Sequence, residues 1–213
     1  MNKMLNLGSG TDLRAGWTNL DQHSQNYIKW LTENEYYANN LPEGTVFVKH
    51  KLPDRMPFND NNFDFVFCSH LLEDFSNQDF LKILKDILRV LKVGGTVEIR
   101  VPEYGYNGAL ANPFHQKLFQ KNSFEWFAKD GEALNDYEED ERIFSKMLSC
   151  KSVTRQSWLS HVLSETYKFL FPQNKLSGRT SIKNQSGILW KIYCFTNLFP
   201  PFYDKEIRVV FKK

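Results

Sequence analysis

The segment MLNLGSGTDLRAGWTNLDQ, residues 4–22, constrains the fold more than any other part of the chain. Leu5-Asn6-Leu7 reads as a short buried strand that runs directly into a glycine turn, Gly8-Ser9-Gly10. Such a turn often precedes a helix N-terminus that receives a nucleotide or an anion. A second apolar run, Trp17-Thr18-Asn19-Leu20, follows and ends in an acid, Asp21. The residues between turn and run are too few for an ordinary crossover of roughly ten or more. Two neighbouring strands joined by almost no helix are therefore expected.

The next eighty residues keep an α/β rhythm. Residues 22–44 are polar and aromatic and read as a short helix closed by Pro42 and Gly44. Thr45 to His50 is a β-branched third strand, LPDRMPFNDNN is turn chemistry, and Phe63 to Cys68 is a buried fourth strand. Ser76, with Asp79 three residues on, forms a capping-box pattern. Apolar residues then fall at Phe80, Ile83, Leu84, Ile87, Leu88 and Leu91, the spacing of a one-faced helix. Lys92 stands near its end, and Gly94-Gly95 is expected to stop it. Thr96 to Val101 is a fifth strand, ended by Pro102. Alternation of this kind predicts an α/β doubly wound, Rossmann-like, mostly parallel sheet covered on both faces.

Beyond Pro102 the pattern changes. Residues 103–122 read as a loop above the carboxyl ends of the strands, and Ser123 to Lys129 and Glu141 to Leu148 as helices flanking an acidic stretch. Trp158 to Phe171 reads as a further helix and Glu206 to Phe211 as the last strand. Residues 103–205 are thus expected to be a helical lid or substrate wall inserted before that strand, within a single domain spanning 1–213.

Composition narrows the function classes. Phe 18, Tyr 9 and Trp 5 make the chain 15% aromatic, which favours a thick core or an apolar pocket. A net charge of +2 without a long basic run offers no case for a nucleic-acid partner. The three cysteines, Cys68, Cys150 and Cys194, are widely spaced with no CxxC pair, and His23, His50 and His161 have no ligand-like spacing with them. Neither a disulfide framework nor a metal site is expected, and reduced thiols suit the cytoplasm. The start, MNKMLNLGSG, has no apolar leader, and no uncharged run is long enough to span a bilayer. The stretch 187–203, broken by Lys191 and a Pro pair, reads as a buried helix or pocket lid rather than a membrane-surface contact.

In an open parallel sheet, ligands bind at the carboxyl ends of the strands where strand order reverses, and both the glycine turn and Asp21 face that crevice. A dinucleotide dehydrogenase wants G-x-G-x-x-G and an acid about twenty residues beyond. Here Leu13 takes the third glycine position and Asp21 comes eleven residues after Gly10, which counts against NAD.

LNLGSG, GWTNLD, MPFNDNNFDFVFCSHLLEDF and ILKDILRVLKVGGTVEIRVPE, in that order, resemble the class I S-adenosylmethionine-dependent methyltransferases. They are especially similar to small bacterial members in which a G-W-x-N-x-D segment follows the glycine turn. The resemblance covers roughly the first hundred residues. It implies S-adenosyl-L-methionine as cofactor, with Gly8, Ser9 and Gly10 letting the backbone approach its methionine part. By the same resemblance Asp21 would accept hydrogen bonds from both ribose hydroxyls and Leu52 would lie against the adenine ring. Ser69 and His70 would line the floor beside the sulfonium. Two positions depart from the pattern: Lys51 stands where an acid often binds the adenine amino group, for which Asp54 is the substitute, and Asp74 replaces a commoner His.

The implied reaction is methyl transfer to an O, N or C atom of a small-molecule or glycan-type acceptor. Where that atom must lose a proton, His70 and His115 are the candidate bases, since unperturbed imidazole titrates near neutrality. The alternative is a non-catalytic methyltransferase fold serving as cofactor-binding partner subunit or sensor.

Overall fold

The computed structural model describes residues 2–24, 26, 46–130, 142–156 and 203–213. Seven strands form one sheet: β1 (Met4–Leu7), β2 (Thr18–Asp21), β3 (Val46–Lys49), β4 (Phe63–Ser69), β5 (Leu91–Pro102), β6 (Lys146–Gln156) and β7 (Tyr203–Lys212). Their order is β3-β2-β1-β4-β5-β7-β6. Strands β1 to β5 pair in parallel, while β7 lies antiparallel between β5 and β6. This is the expected Rossmann-like, mostly parallel sheet. Strand order reverses at β1, which has β2 on one side and β4 on the other, so a crevice opens at the carboxyl ends of these three.

One face of the sheet carries the core. Leu5, Leu7, Val66, Cys68, Val97, Ile99, Val209 and Phe211 alternate along their strands and pack with Phe80, Ile83, Leu84 and Ile87 of the helix α1 (Asn77–Val90). The helix starts where the sequence placed it. Ser76 is its N-cap, and its Oγ accepts from the Asp79 backbone N–H at 3.2 Å. From the far end of α1, Arg89 donates to the carbonyls of Phe58 (2.6 Å) and Met56 (3.0 Å), which holds the turn before β4 against the helix.

The helix does not end at the glycine pair. It ends at Val90, and Leu91 already has extended backbone at φ −69°, ψ 139°. Register runs from Phe63↔Leu91 to Phe65↔Thr96, so residues 92–95 bulge out of β5. Gly94 takes φ +79°, and a Cβ on Gly95 would come within 2.9 Å of the Lys92 carbonyl oxygen. The glycines thus shape a bulge, which local sequence cannot distinguish from a helix stop.

The second correction concerns the insertion. Residues 141–148 were expected to be helical, yet Lys146–Gln156 is the edge strand β6, paired along its length with β7. The long-range partner decides here, since Lys146-Met147-Leu148 alone fits either state. Lys121–Phe127 winds as a 3₁₀ helix, where a helix over 123–129 was expected, and a helical turn at Asn107–Leu110 interrupts the loop after β5. Most of the expected helix over 22–44, the helix over 158–171, and all of the apolar stretch 187–203 except Tyr203 lie outside the described residues. No helix among the described residues is long and apolar enough to cross a membrane.

The helix-poor crossover from β1 to β2 is pinned by Asn19, which is fully buried. Its Oδ1 accepts from Asn6 Nδ2 and from the Arg14 N–H, both at 3.0 Å. Its Nδ2 reaches the carbonyls of Arg14 (3.1 Å), Trp17 (3.3 Å) and Val46 (3.2 Å). One amide side chain therefore ties the crossover loop to strands on both sides of it.

Candidate functional site

A cleft of about 460 Å³ opens at the carboxyl ends of β1, β2 and β4, within the range of roughly 300–1,000 Å³ usual for small-molecule sites. Five of the nine expected cofactor-binding and catalytic residues line it: Gly8, Gly10, Asp21, Leu52 and His70. Gly8 and Gly10 take φ +67° and +48°, conformations that favour glycine. A Cβ on Gly8 would lie 2.7 Å from Leu71 Cδ2, so that glycine is also required by packing. A Cβ on Gly10 would meet no atom within 4 Å and would project into the open cleft.

Asp21 closes the turn. Its Oδ2 accepts from the Gly10 N–H at 2.9 Å and its Oδ1 from the His23 N–H at 3.0 Å. A carboxylate oxygen has two acceptor positions, so each keeps one for a ligand hydroxyl. Ser9 lies under the turn, 4% exposed, and its Oγ has no hydrogen-bond partner among the described residues. The residues therefore fit a nucleoside with a polar tail: a vicinal diol at Asp21, open space over Gly10 and an unused hydroxyl at Ser9.

The other candidates stand apart from the wall. Asp54 is exposed, and its backbone oxygen lies 2.9 Å from His50 Nε2. Lys51, by contrast, does line the cleft. Ser69 is the last residue of β4 and does not line it. His115 sits behind the wall with its side chain 9% exposed; its Nε2 is 3.8 Å from Asp74 Oδ1, and Asp74 is a wall residue. The loop carrying His115 is tied down by the N–H groups of Gln116 (2.8 Å) and Lys117 (3.1 Å), both donating to the Glu73 carbonyl.

Sequence reasoning missed two buried carboxylates that organise this end of the cleft. Glu73 and Glu206 are 1% and 2% exposed. His70, itself at φ +51°, stands between them, with Nδ1 3.5 Å from Glu73 Oε1 and Nε2 3.1 Å from Glu206 Oε2. Arg208 donates to Glu206 Oε1 through Nε at 2.6 Å. Burial and then the Glu73 charge raise the Asp74 carboxyl above its ordinary pKa, with His115 opposing them. The adjacency of Glu73 to a strand end was visible in LLEDF; that of Glu206 was not, because 136 residues separate it from His70.

Sheet order and cleft together define a Rossmann-like fold with its cleft at the strand-order reversal. Residues 5–99, a little under half of the chain, match the family model described as a methyltransferase domain. An S-adenosylmethionine-dependent methyltransferase from Archaeoglobus fulgidus superposes with a TM-score of 0.54 at 14% identity, covering 100% of this chain and 86% of that one. The YcgJ protein of Bacillus subtilis gives 0.55 at 14% identity, covering 100% and 92%. At that identity these two share the fold. Among curated proteins the sequence finds no match.

Proposed function

We propose that this protein transfers a methyl group from S-adenosylmethionine to an O, N or C atom of a small-molecule or glycan-type acceptor that enters the cleft beside His70 and Asp74. The observation that carries this reading is the pairing of Asp21 with the Gly10 N–H, which presents a carboxylate and an open backbone to one ligand. When bound, the cofactor supplies an electrophilic methyl on a sulfonium, a good leaving group. The chain's own contribution is then mainly positioning and exclusion of water. Gly8, Ser9 and Gly10 would receive the methionine part, Asp21 the ribose, and Leu52 the adenine, with Asp54 and Ser69 as outlying contacts at either end. His70 and His115 are the candidate groups for a proton that leaves the acceptor.

A cytoplasmic setting is supported by the free thiols of Cys68 and Cys150. The insertion 103–205 would serve as the acceptor's wall within a single domain. Calorimetry with S-adenosylmethionine, S-adenosylhomocysteine and NAD tests the cofactor, and transfer of labelled methyl groups to an acceptor panel tests turnover. Binding of the first two without transfer to any O, N or C acceptor would instead support a cofactor-binding partner or sensor. Lys51 on the wall, in place of an acid, is the feature that favours that second reading.

A further inference from the structure

The acceptor end of the cleft is built from acids and imidazoles in alternation. Arg208, Glu206, His70, Glu73, His115 and Asp74 follow one another from β7 to the cleft wall. Glu73 stands at the centre with its side chain 2% exposed: its Oε1 faces His70 Nδ1 at 3.5 Å and His115 Nε2 at 3.9 Å, and its Oε2 has no hydrogen-bond partner among the described residues. His115 Nδ1 lies 3.1 Å from the Ala109 carbonyl, which can only accept, so Nδ1 carries a proton and Nε2 faces the acids. Both nitrogens of His70 are committed to buried carboxylates. Among the described residues no Lys or Arg pairs with Asp74 or Glu73. Two adjacent carboxylates without a fixed cation, one with a buried oxygen lacking a donor, complement a ligand that brings positive charge and N–H groups.

Building on the methyl-transfer reading, we propose that the acceptor is a protonated primary or secondary amine whose ammonium docks on Asp74, and that Asp74 takes its proton. Transfer of that proton to the carboxylate leaves a neutral nitrogen. The nitrogen lone pair then forms the N–C bond as the C–S bond breaks, and the pair from that bond stays on sulfur as a thioether. The methylated ammonium keeps the positive charge, and the carboxyl proton passes to water. Asp74 is half exposed on the wall and reaches the acceptor, whereas His115 is covered and acts through Asp74 as a positioning residue. Burial and Glu73 make Asp74 a better base than an ordinary aspartate. A neutral hydroxyl acceptor would leave the excess acid unanswered.

Sinefungin is a direct probe, since an amine-bearing carbon replaces the sulfur of the cofactor and aims an ammonium at the acceptor site. Its calorimetric Kd is compared with that of S-adenosylhomocysteine in the wild type and in Asp74→Asn. The wild type should prefer sinefungin by about tenfold, and the preference should fall to within about twofold in the variant. That preference needs ionised Asp74, which Glu73, His115, His70, Glu206 and Arg208 surround, so it is lost as pH falls through the Asp74 pKa. In His115→Phe the opposing imidazole is gone, and the loss should move to higher pH, a shift that a merely structural histidine would not cause. An equal preference in wild type and Asp74→Asn, or none in the wild type, overturns the proposal while leaving cofactor binding intact. If neither ligand binds the wild type, the cofactor reading itself fails, and the proposal falls with it.

Discussion

Asp21→Ala perturbs two things that the geometry allows to be separated. The carboxylate restrains the apo turn by accepting the Gly10 and His23 N–H groups at 2.9 and 3.0 Å. It also keeps two acceptor positions open to the ribose hydroxyls of the proposed cofactor. The turn is partly exposed, so the freed N–H groups can be met by water, and the cost to the fold is about 1 kcal/mol. For a chain of this length that lowers Tm by roughly 2–4 °C. Losing a charged acceptor for two hydroxyls costs a further ~1.5–3 kcal/mol in binding, or roughly ten- to a hundredfold in Kd. Asp21→Asn divides the effects, because its single carbonyl oxygen can keep one of the two N–H bonds while its amide nitrogen cannot accept the other. The expected order is therefore wild type, Asn, Ala in Tm, with both variants well below wild type in affinity. Calorimetric titration with S-adenosylhomocysteine and thermal melts without ligand measure the two separately. An alanine variant that binds within about twofold of wild type would remove Asp21 from the ribose site and refute the placement.

Gly10→Val forces a β-branched residue to φ +48° and points it into the cleft, so ligand-induced stabilisation in thermal melts should vanish while the apo protein still folds. Asn19→Ala deletes the side chain that bonds Asn6, Arg14, Trp17 and Val46, and should cost about 2–4 kcal/mol in denaturant unfolding, more than any single surface change. Burial first and Glu73 second push the Cys68 thiol far up, so alkylation near pH 8 should be negligible in the folded protein and rapid once it is unfolded. Lys92 first and the Lys3 N–H second hold Asp64 below the usual carboxylate range. That contribution to stability is present above the unfolded pKa of about 3.9 and is lost as pH falls through the lower folded value, so Asp64→Asn should flatten the decline of Tm below about pH 4.

What was legible in the sequence follows the range of the forces involved. Helix α1 and strands β1 to β5 were readable because each announces itself within a dozen residues, through period, cap or turn chemistry. The glycine turn and Asp21 were readable because they end neighbouring strands. The edge strand β6 was not, since its state is decided by β7, more than fifty residues further on, through pairs such as Cys150↔Val209. The acid end of the site failed for the same reason. His70 was a candidate on its own, but its surroundings depend on Glu206, which reaches it only because β7 inserts beside β5.

The short crossover that made the sequence unusual is resolved by substitution of one kind of cover for another. A doubly wound sheet ordinarily buries both faces of β1 under helices, yet the loop from Gly10 to Trp17 has none to offer. Instead the Arg14 guanidinium lies 3.8 Å from the ring centre of Phe67 and 4.9 Å from that of Trp17. Trp17 meets Phe65 edge-on with centroids 5.7 Å apart, and the Arg100 guanidinium lies 4.8 Å from the centre of Phe67. A planar cation can cover an aromatic face while keeping its edge in water, which a helix of apolar residues cannot do at a rim. Arg14 is held in that position from both sides, by Asn19 at its backbone and by Asp12 at its guanidinium, 2.8 Å away. The same Asn19 precedes Asp21 by two residues on β2, so the residue that replaces the missing helix also fixes the strand whose end carries the Asp21 carboxylate. The loop is short because its work is done by one buried amide and one stacked arginine, and the glycine turn inherits its rigidity from them.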